Sequence, residues 1–177
     1  MTDPLETLTD GVVRLRPLDV GDAEAQVAGE DEEMVRWLSG GRRPVERQRA
    51  FLASAARAWA DRERLVDLGI ARVDDGTLVG LVGIQSGTTY LTPGQVNLTY
   101  GLYPPWRGKG LATRGVRLAI VLARTLWRPN QLVIRVDPAN TASAAVPRRL
   151  GFGYSHHTTG EDDGQGELDW YVRAGPG

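Results

Sequence analysis

Apolar and polar residues alternate along several short stretches of the chain, a pattern that predicts β-strands with one buried face. Val12 to Arg16 alternates in this way and ends at Pro17. Val66 to Ile70 alternates too, and after an Asp-Asp-Gly turn Leu78 to Ile84 returns. The two runs therefore predict a hairpin.

Three further regions have strand character. Gln95 to Tyr103 is followed by two prolines, and Gln131 to Val136 is almost continuously apolar, as in the interior of a sheet. Phe152 to Thr159 and Glu167 to Arg173 predict a last hairpin around the acidic loop 160–166.

Helical periodicity separates these strands. The predicted helices are Asp19 to Gly29, Asp31 to Leu38, Pro44 to about Arg62, Leu111 to Trp127, and a helix with Asn140 as N-cap that ends at Leu150. Gly80 and Gly83 lie inside a predicted strand, which indicates a bulge or a close neighbour there. The mixture of strands and helices predicts an α/β (α+β) fold with one central sheet.

Length and composition narrow the function classes. The 177 residues suffice for one domain, here 11–173, with a polar lead 1–10 and a tail 174–177. A net charge of −1 gives no reason to expect nucleic acid binding. The absence of cysteine excludes thiolate chemistry, two histidines make a metal site unexpected, and no apolar run resembles a signal peptide or a membrane span. We therefore expect a cytoplasmic protein without metal or membrane contact.

The stretch from Arg107 to Ala112 connects a predicted strand to the longest predicted helix. A glycine-rich turn at a helix start presents unpaired backbone N–H groups at the positive end of the helix dipole, which favours a phosphate ligand. The spacing of Gly108, Lys109 and Gly110 fits neither a Walker loop nor a dinucleotide fingerprint.

The R-x-x-G-x-A pattern of this stretch resembles the acetyl-CoA pyrophosphate loop of the GCN5-related N-acetyltransferase (GNAT) family. Asn140 to Ser143 followed by Leu150-Gly151-Phe152 resembles the family's N-x-x-S…L-G-F segment. Asp31 to Leu38 and Asn97 to Leu102 are similar to the RimJ/RimL-like branch. The resemblance covers about residues 11–173 and implies a mixed, mostly antiparallel sheet of six to seven strands, splayed at the cofactor site.

The resemblance implies acetyl-CoA as the cofactor and assigns residues to it. In this family the strand before the loop is bulged and splays from its neighbour, and the pantetheine arm pairs with backbone near Leu102 and Tyr103. Asn140 and Ser143 meet the arm or its sulfur, or serve as helix caps. The pyrophosphate would be bound by the N–H groups of Arg107, Gly108, Lys109, Gly110, Leu111 and Ala112.

The catalytic residues are less clear from the sequence. Many relatives carry a tyrosine acid four residues after the serine, where this chain has Pro147, so we expect an irregular helical turn and Ser143 as the group nearest the sulfur. A glutamate base of the branch is replaced by Asn97. Substitutes through ordered water remain open: Tyr100, Asp67, Asp169, His156 and His157.

The acceptor is expected to be a small-molecule amine or a peptide N-terminus. Residues that could line its pocket are Trp37, Trp59, Tyr90 and Tyr103, with Glu161-Asp162-Asp163 attracting a cationic amine. A CoA-binding regulatory protein without activity, a larger acyl donor and a homodimer are all compatible with the sequence.

Overall fold

The computed structural model describes residue 5, residues 8–159 and residues 166–175, and its centre is one seven-stranded sheet in the order β1-β2-β3-β4-β5-β7-β6. The strands are β1 Val13–Pro17, β2 Leu65–Arg72, β3 Leu78–Ser86, β4 Gln95–Leu102, β5 Gln131–Val136, β6 Gly153–Thr158 and β7 Leu168–Ala174. All neighbours are antiparallel except β4 and β5, which are parallel.

Five helices flank the sheet within the described residues. They are α1 Ala23–Gly29, α2 Glu32–Met34, α3 Val45–Ala60, α4 Leu111–Trp127 and α5 Thr141–Arg149. The short α2 continues into a π-helical turn, Val35–Ser39, that ends at Gly40 with φ of 65°. None of the described helices combines the length and the apolar character needed to cross a membrane.

The predicted α/β fold with a mixed sheet is confirmed, and the differences are local. Strand β1 begins at Val13, since Val12 precedes the sheet pairing with β2. Pro44 has φ of −59° and ψ of 153°, so it precedes α3 as its N-cap instead of occupying the first helical position. The expected bulge in β4 is absent, because β3 and β4 pair without a shift from Gly80–Leu102 to Ser86–Val96.

The main hydrophobic core lies between one face of the sheet and α4. Alternate residues of the central strands, such as Leu68, Ile84 and Leu98, are almost fully buried there. Gly115 lets α4 approach closely, since a β-carbon at this position would lie 2.5 Å from Ile70 Cδ1. Each such apolar side chain contributes about 1.5–3 kcal/mol by leaving water.

The opposite face of the sheet is partly covered by α3. A smaller cluster around Leu18, Leu52 and Ala55 packs there against Leu81 of β3. Gly80 and Gly83 have the close neighbours that the sequence predicted: a β-carbon on Gly80 would collide with the Gly101 carbonyl, and one on Gly83 would lie 2.7 Å from Asp67 Oδ1. This face is left open over β4.

Candidate active site

A cavity of about 990 Å³ extends from the start of α4 to the open face of the sheet. Gly108 and Gly110 line it at one end and Ser143 lines its side. Asp67 and Asn97 line it on the sheet. The cavity therefore connects the predicted phosphate loop with polar side chains on the central strands.

The sheet opens between β4 and β5 along this cavity. The two strands pair only at Gln95–Gln131, Val96–Leu132 and Asn97–Val133, although β4 continues to Leu102 and β5 to Val136. Parallel strands separated beyond this point leave backbone groups along both edges of a gap. The splayed sheet of the predicted fold is present, and the gap points toward the start of α4.

The turn before α4 leaves space for a ligand. Gly108 and Gly110 have φ of 73° and 74°, and a β-carbon at either would meet nothing within 4 Å. Helix α4 has no side-chain cap at Gly110, and the Arg114 N–H donates to the Gly110 carbonyl at 3.2 Å. The N–H groups of its first turn precede the intrahelical ladder and point to the helix mouth. Such a turn suits an anion.

The backbone N–H and the side chain of Arg107 both have hydrogen-bond partners within the protein. Its N–H donates to the Pro104 carbonyl at 3.3 Å, so the amides facing the turn begin at Gly108 and not at Arg107 as expected. The guanidinium bonds Asp31 at 2.6 and 2.8 Å and Glu33 at 2.6 Å. The Arg107 guanidinium lowers the pKa of Asp31 to about 2. This ion pair was not predicted, since 76 residues separate its partners.

Leu102 and Tyr103 offer less backbone to a ligand than the sequence suggested. The Tyr103 N–H donates to the Val79 carbonyl at 3.0 Å and therefore faces β3. The Leu102 carbonyl accepts a hydrogen bond from Arg107 Nε at 3.0 Å. The Tyr103 ring is buried against Gly29. Because these groups already have partners, the backbone groups of β4 that a ligand in the gap could bind lie nearer the middle of the strand.

Ser143 and Tyr100 come together beside the gap. Ser143 Oγ donates to the Tyr100 hydroxyl at 3.0 Å, and the Tyr100 hydroxyl donates to the Ser143 carbonyl at 2.8 Å. The Ser143 N–H donates to Asn140 Oδ1 at 3.0 Å, so Asn140 is the N-cap of α5. Burial raises the pKa of Tyr100 to about 12, and the phenol stays protonated at neutral pH.

Pro147 lies inside α5, which is continuous from Thr141 to Arg149, so the expected irregular turn is absent. Proline at this position has no N–H for the Ser143 carbonyl. The Tyr100 hydroxyl supplies the missing donor. The helix is thus completed by a side chain from β4.

Asn97 lies apart from Ser143 and Tyr100. Three positions separate Asn97 and Tyr100 along β4, so their side chains lie on opposite faces of the sheet. Asn97 is 1% exposed, and neither Nδ2 nor Oδ1 has a hydrogen-bond partner among the described residues. The structure therefore divides the three catalytic candidates between two sides of one strand.

The other proposed bases differ in their surroundings. Asp169 bonds the ring of His157 at 3.0 Å in the exposed final hairpin. The ring of His156 stacks on Trp170 with centroids 4.9 Å apart. Asp67 is partly buried in the cavity, and burial raises the pKa of its carboxyl. Of these side chains, Asp67 alone lines the cavity.

The aromatic candidates for an acceptor pocket are also divided. Trp37 and Tyr90 line the cavity, whereas Trp59 is 4% exposed in the core. The Arg135 guanidinium carbon lies 3.6 Å from the centre of the Tyr90 ring, a contact that sequence patterns did not reveal. Glu161, Asp162 and Asp163 lie outside the described residues. No cluster of three potential metal ligands occurs in the described part of the chain.

Comparisons with known proteins identify the family. The model of the acetyltransferase (GNAT) domain matches residues 13–153. A comparison with curated proteins gave no match. Mycobacterium smegmatis RimJ in complex with CoA-disulfide is 23% identical, with a TM-score of 0.78 over 93% of this chain and 82% of that chain.

Two further solved structures have the same fold. RimL, a ribosomal L7/L12 alpha-N-protein acetyltransferase in complex with coenzyme A, is 17% identical, with a TM-score of 0.75 over 97% of this chain and 96% of that chain. The microcin C7 self-immunity acetyltransferase MccE, in complex with acetyl-CoA and AMP, is 15% identical, with a TM-score of 0.75 over 94% of both chains. The domain model matches most of the length of this chain, and the splayed sheet and the open turn agree with it. The chain therefore belongs to the GNAT acetyltransferase family.

Proposed function

We propose that the protein is an acetyl-CoA-dependent N-acetyltransferase whose acceptor is a primary amine, at a protein N-terminus or on a small molecule. The observation that carries this proposal is the gap between β4 and β5, which leads from the open turn before α4 to Ser143. RimL, an alpha-N-protein acetyltransferase that shares the fold, favours a protein N-terminus as the acceptor. We propose a cytoplasmic enzyme of the RimJ/RimL-like branch.

The open turn fits a pyrophosphate. The backbone N–H groups from Gly108 to Ala112 would hold it, because the turn has no side-chain cap and no atom occupies the space beside Gly108 or Gly110. Lys109 can add charge from the same turn. The gap beside β4 would hold the pantetheine arm by strand-like backbone pairing. In this arrangement Asn140 positions Ser143 by capping α5.

Acetyl-CoA, when bound, supplies an activated acyl group as a thioester. Ser143 Oγ and the Tyr100 hydroxyl would hold a proton for the leaving sulfur, since the phenol is protonated at neutral pH and bonded to the serine. Tyr100 thereby takes the place of the tyrosine that Pro147 replaces. Asn97 cannot accept a proton at neutral pH, so we limit its role to hydrogen bonding.

The cofactor site can be tested with two glycines of the same conformation. Gly110 and Gly76 both have φ of 74°, and a β-carbon at either meets nothing within 4 Å. Alanine should therefore cost each variant a similar ~1–2 kcal/mol of stability. Only Gly110→Ala places a methyl group where the phosphates would bind, so its Kd for CoA should rise by at least about tenfold.

Isothermal titration with CoA and thermal unfolding would separate the two effects. An equal Kd for Gly110→Ala and Gly76→Ala would contradict the site. A thiol-release assay with acetyl-CoA and a panel of N-terminal peptides, polyamines and aminoglycosides would test the reaction. CoA binding without turnover of any amine would favour a regulatory CoA-binding protein, and turnover with succinyl-CoA alone would favour a larger acyl donor.

A further inference from the structure

Asp67 is a carboxylate in the middle of a sheet, on the face that is open over β4. It lies on β2 opposite Gly83 of β3, and Gly83 lies opposite Thr99 of β4. Neighbouring strands are ~4.8 Å apart, so roughly 10 Å separate the backbones of Asp67 and Thr99. The three residues form one row across the sheet.

Gly83 is what allows this carboxylate to reach toward β4. A β-carbon on Gly83 would lie 2.7 Å from Asp67 Oδ1 and would collide with Thr99 Oγ1. The carboxylate and the hydroxyl therefore approach the same point above Gly83. Thr99 is exposed and lines the cavity together with Asp67, so both side chains border space that a small molecule could enter.

No ion pair or hydrogen bond within the described residues stabilises the charged form of the Asp67 carboxylate. Asp67 forms no ion pair or hydrogen bond with the described residues, and the Coulombic effect of Arg43 is the influence that favours its charge. Burial outweighs this effect and raises the pKa of Asp67. Besides Asp67 and Arg43, the charged side chains that line the cavity are Glu30, Glu33, Arg36, Arg107, Arg135, Asp137 and Arg149.

The remaining acids of the cavity are less suited to accept a proton from an amine. Glu33 is paired with Arg107 at 2.6 Å, and Asp137 accepts the Ala139 N–H at 2.8 Å in a turn. Glu30 lies in the connection between α1 and α2 and not on a strand of the sheet. Among the four carboxylates that line the cavity, Asp67 alone lies on a strand of the sheet.

We propose that Asp67 is the catalytic base, which accepts the proton of the acceptor ammonium group, directly or through one water. This inference rests on the proposed transferase function. Asp67 takes one proton from R–NH₃⁺, and the amine lone pair then forms the C–N bond to the acyl carbon. The C–S bond breaks, the sulfur gains the second nitrogen proton through Ser143 and Tyr100, and Asp67 later releases its proton to solvent.

The test compares the wild type with Asp67→Asn, Asp67→Ala and Glu30→Gln. Glu30→Gln is the matched control, since it removes a negative charge from the same cavity at a residue outside the strands. Thiol release is measured with acetyl-CoA and a panel of hexapeptides with free N-termini, from pH 5 to pH 9. CoA-induced Tm shifts report cofactor binding separately, and formate is added to Asp67→Ala as a replacement carboxylate.

We expect Asp67→Asn to lower kcat by about 10²–10⁴-fold and to remove the acid limb of the pH profile, with the CoA-induced Tm shift unchanged. Formate should raise the rate of Asp67→Ala by about tenfold or more, while Glu30→Gln should keep kcat within about threefold. Asp67→Asn should remain folded, because it removes a partly buried charge without an ion-pair partner among the described residues.

Other results of the same experiment would contradict the assignment of Asp67 as the base. A kcat of Asp67→Asn within about threefold of the wild type, or an unchanged pH profile, would overturn the assignment. A rate of Asp67→Ala that formate does not change would do the same. If the wild type shows a Tm shift with CoA but acetylates neither these peptides nor the polyamines and aminoglycosides, the transferase function and the assignment both fall. If no Tm shift occurs while peptides are still acetylated in an Asp67-dependent way, only the cofactor site is wrong.

Discussion

At the scale of single residues, the contact between Tyr100 and Ser143 explains how proline is tolerated inside α5. The Ser143 carbonyl has lost its helical donor at Pro147 and accepts the Tyr100 hydroxyl instead, at 2.8 Å. A buried carbonyl without a donor costs about 1–3 kcal/mol. The same hydroxyl therefore stabilises the helix and holds the serine next to the gap.

This coupling predicts an unequal effect of one substitution in two backgrounds. Tyr100→Phe should destabilise the protein by about 1–2 kcal/mol when residue 147 is proline, and by less after Pro147→Ala, which restores the N–H. Urea unfolding of the four variants measures the difference. Tyr171→Phe is the control, because its hydroxyl accepts from Arg148 and its cost should not depend on residue 147. Equal costs for Tyr100→Phe in both backgrounds would contradict the coupling.

Local sequence patterns predicted the contacts of some of these residues but not of others. Asn140 was predicted as an N-cap, because capping depends on residues only three positions apart. The partner of Ser143 could not be predicted, since Tyr100 is 43 residues away and only the fold brings them together. The same limit applies to the position of Asp67 above Gly83.

At the scale of elements, Arg107 connects the turn before α4 to the start of α2. Asp31 accepts from Arg107 and from the Met34 N–H at 3.0 Å, so it is both an ion-pair partner and a helix cap. The α1–α2 region lines one wall of the cavity. The ion pair therefore fixes the position of that wall relative to the turn.

The ion pair predicts a pH-dependent effect of Asp31→Asn. Arg107 lowers the pKa of Asp31 to about 2, so its stabilising effect is present above its ordinary pKa of about 4 and is lost as the pH falls toward 2. Asparagine keeps the cap, so the variant should lose up to ~1 kcal/mol at pH 7 and almost nothing near pH 2.

Chemical unfolding between pH 2 and pH 7 measures this difference. Asp19→Asn is the matched control, because Asp19 caps a helical turn through the Gly21 N–H without an ion pair. It reports the loss of a capping carboxylate that has no ion-pair partner among the described residues. An Asp31→Asn loss that is the same at both ends of the range would show that the ion pair contributes nothing.

The elements themselves were largely predictable, and their irregularities were predictable only in part. Alternation located the strands, and Gly80 and Gly83 correctly indicated close neighbours. One register shift lies beside Gly80, as its position in the strand predicted, because Ile70 pairs with Gly80 and Ala71 with Leu78. A second lies at Tyr154–His156 between β6 and β7 and was not predicted, and the bulge expected in β4 is absent. Sheet register depends on pairing between distant segments, which alternation within one segment does not encode.

At the scale of the whole molecule, the sheet consists of two halves that meet at three residue pairs. One half contains β1 to β4 and the other contains β5, β7 and β6. Only Gln95 to Asn97 of β4 pair with Gln131 to Val133 of β5. The cavity and the gap therefore result from the same feature, which is the early separation of two parallel strands.

Filling of this gap should be visible by hydrogen exchange. We expect CoA to slow exchange of the amides that face the gap within residues 98–102 of β4 and 134–136 of β5, because a bound pantetheine arm would pair with these edges, which have no partner strand on that side. Amides of β2, which pairs on both sides with β1 and β3, serve as the internal control. If exchange slows equally in β2 and at the gap, the ligand binds elsewhere and stabilises the protein in general. If protection is confined to the gap and to the turn 108–113, the cofactor binds between β4 and β5 with its phosphates at the start of α4.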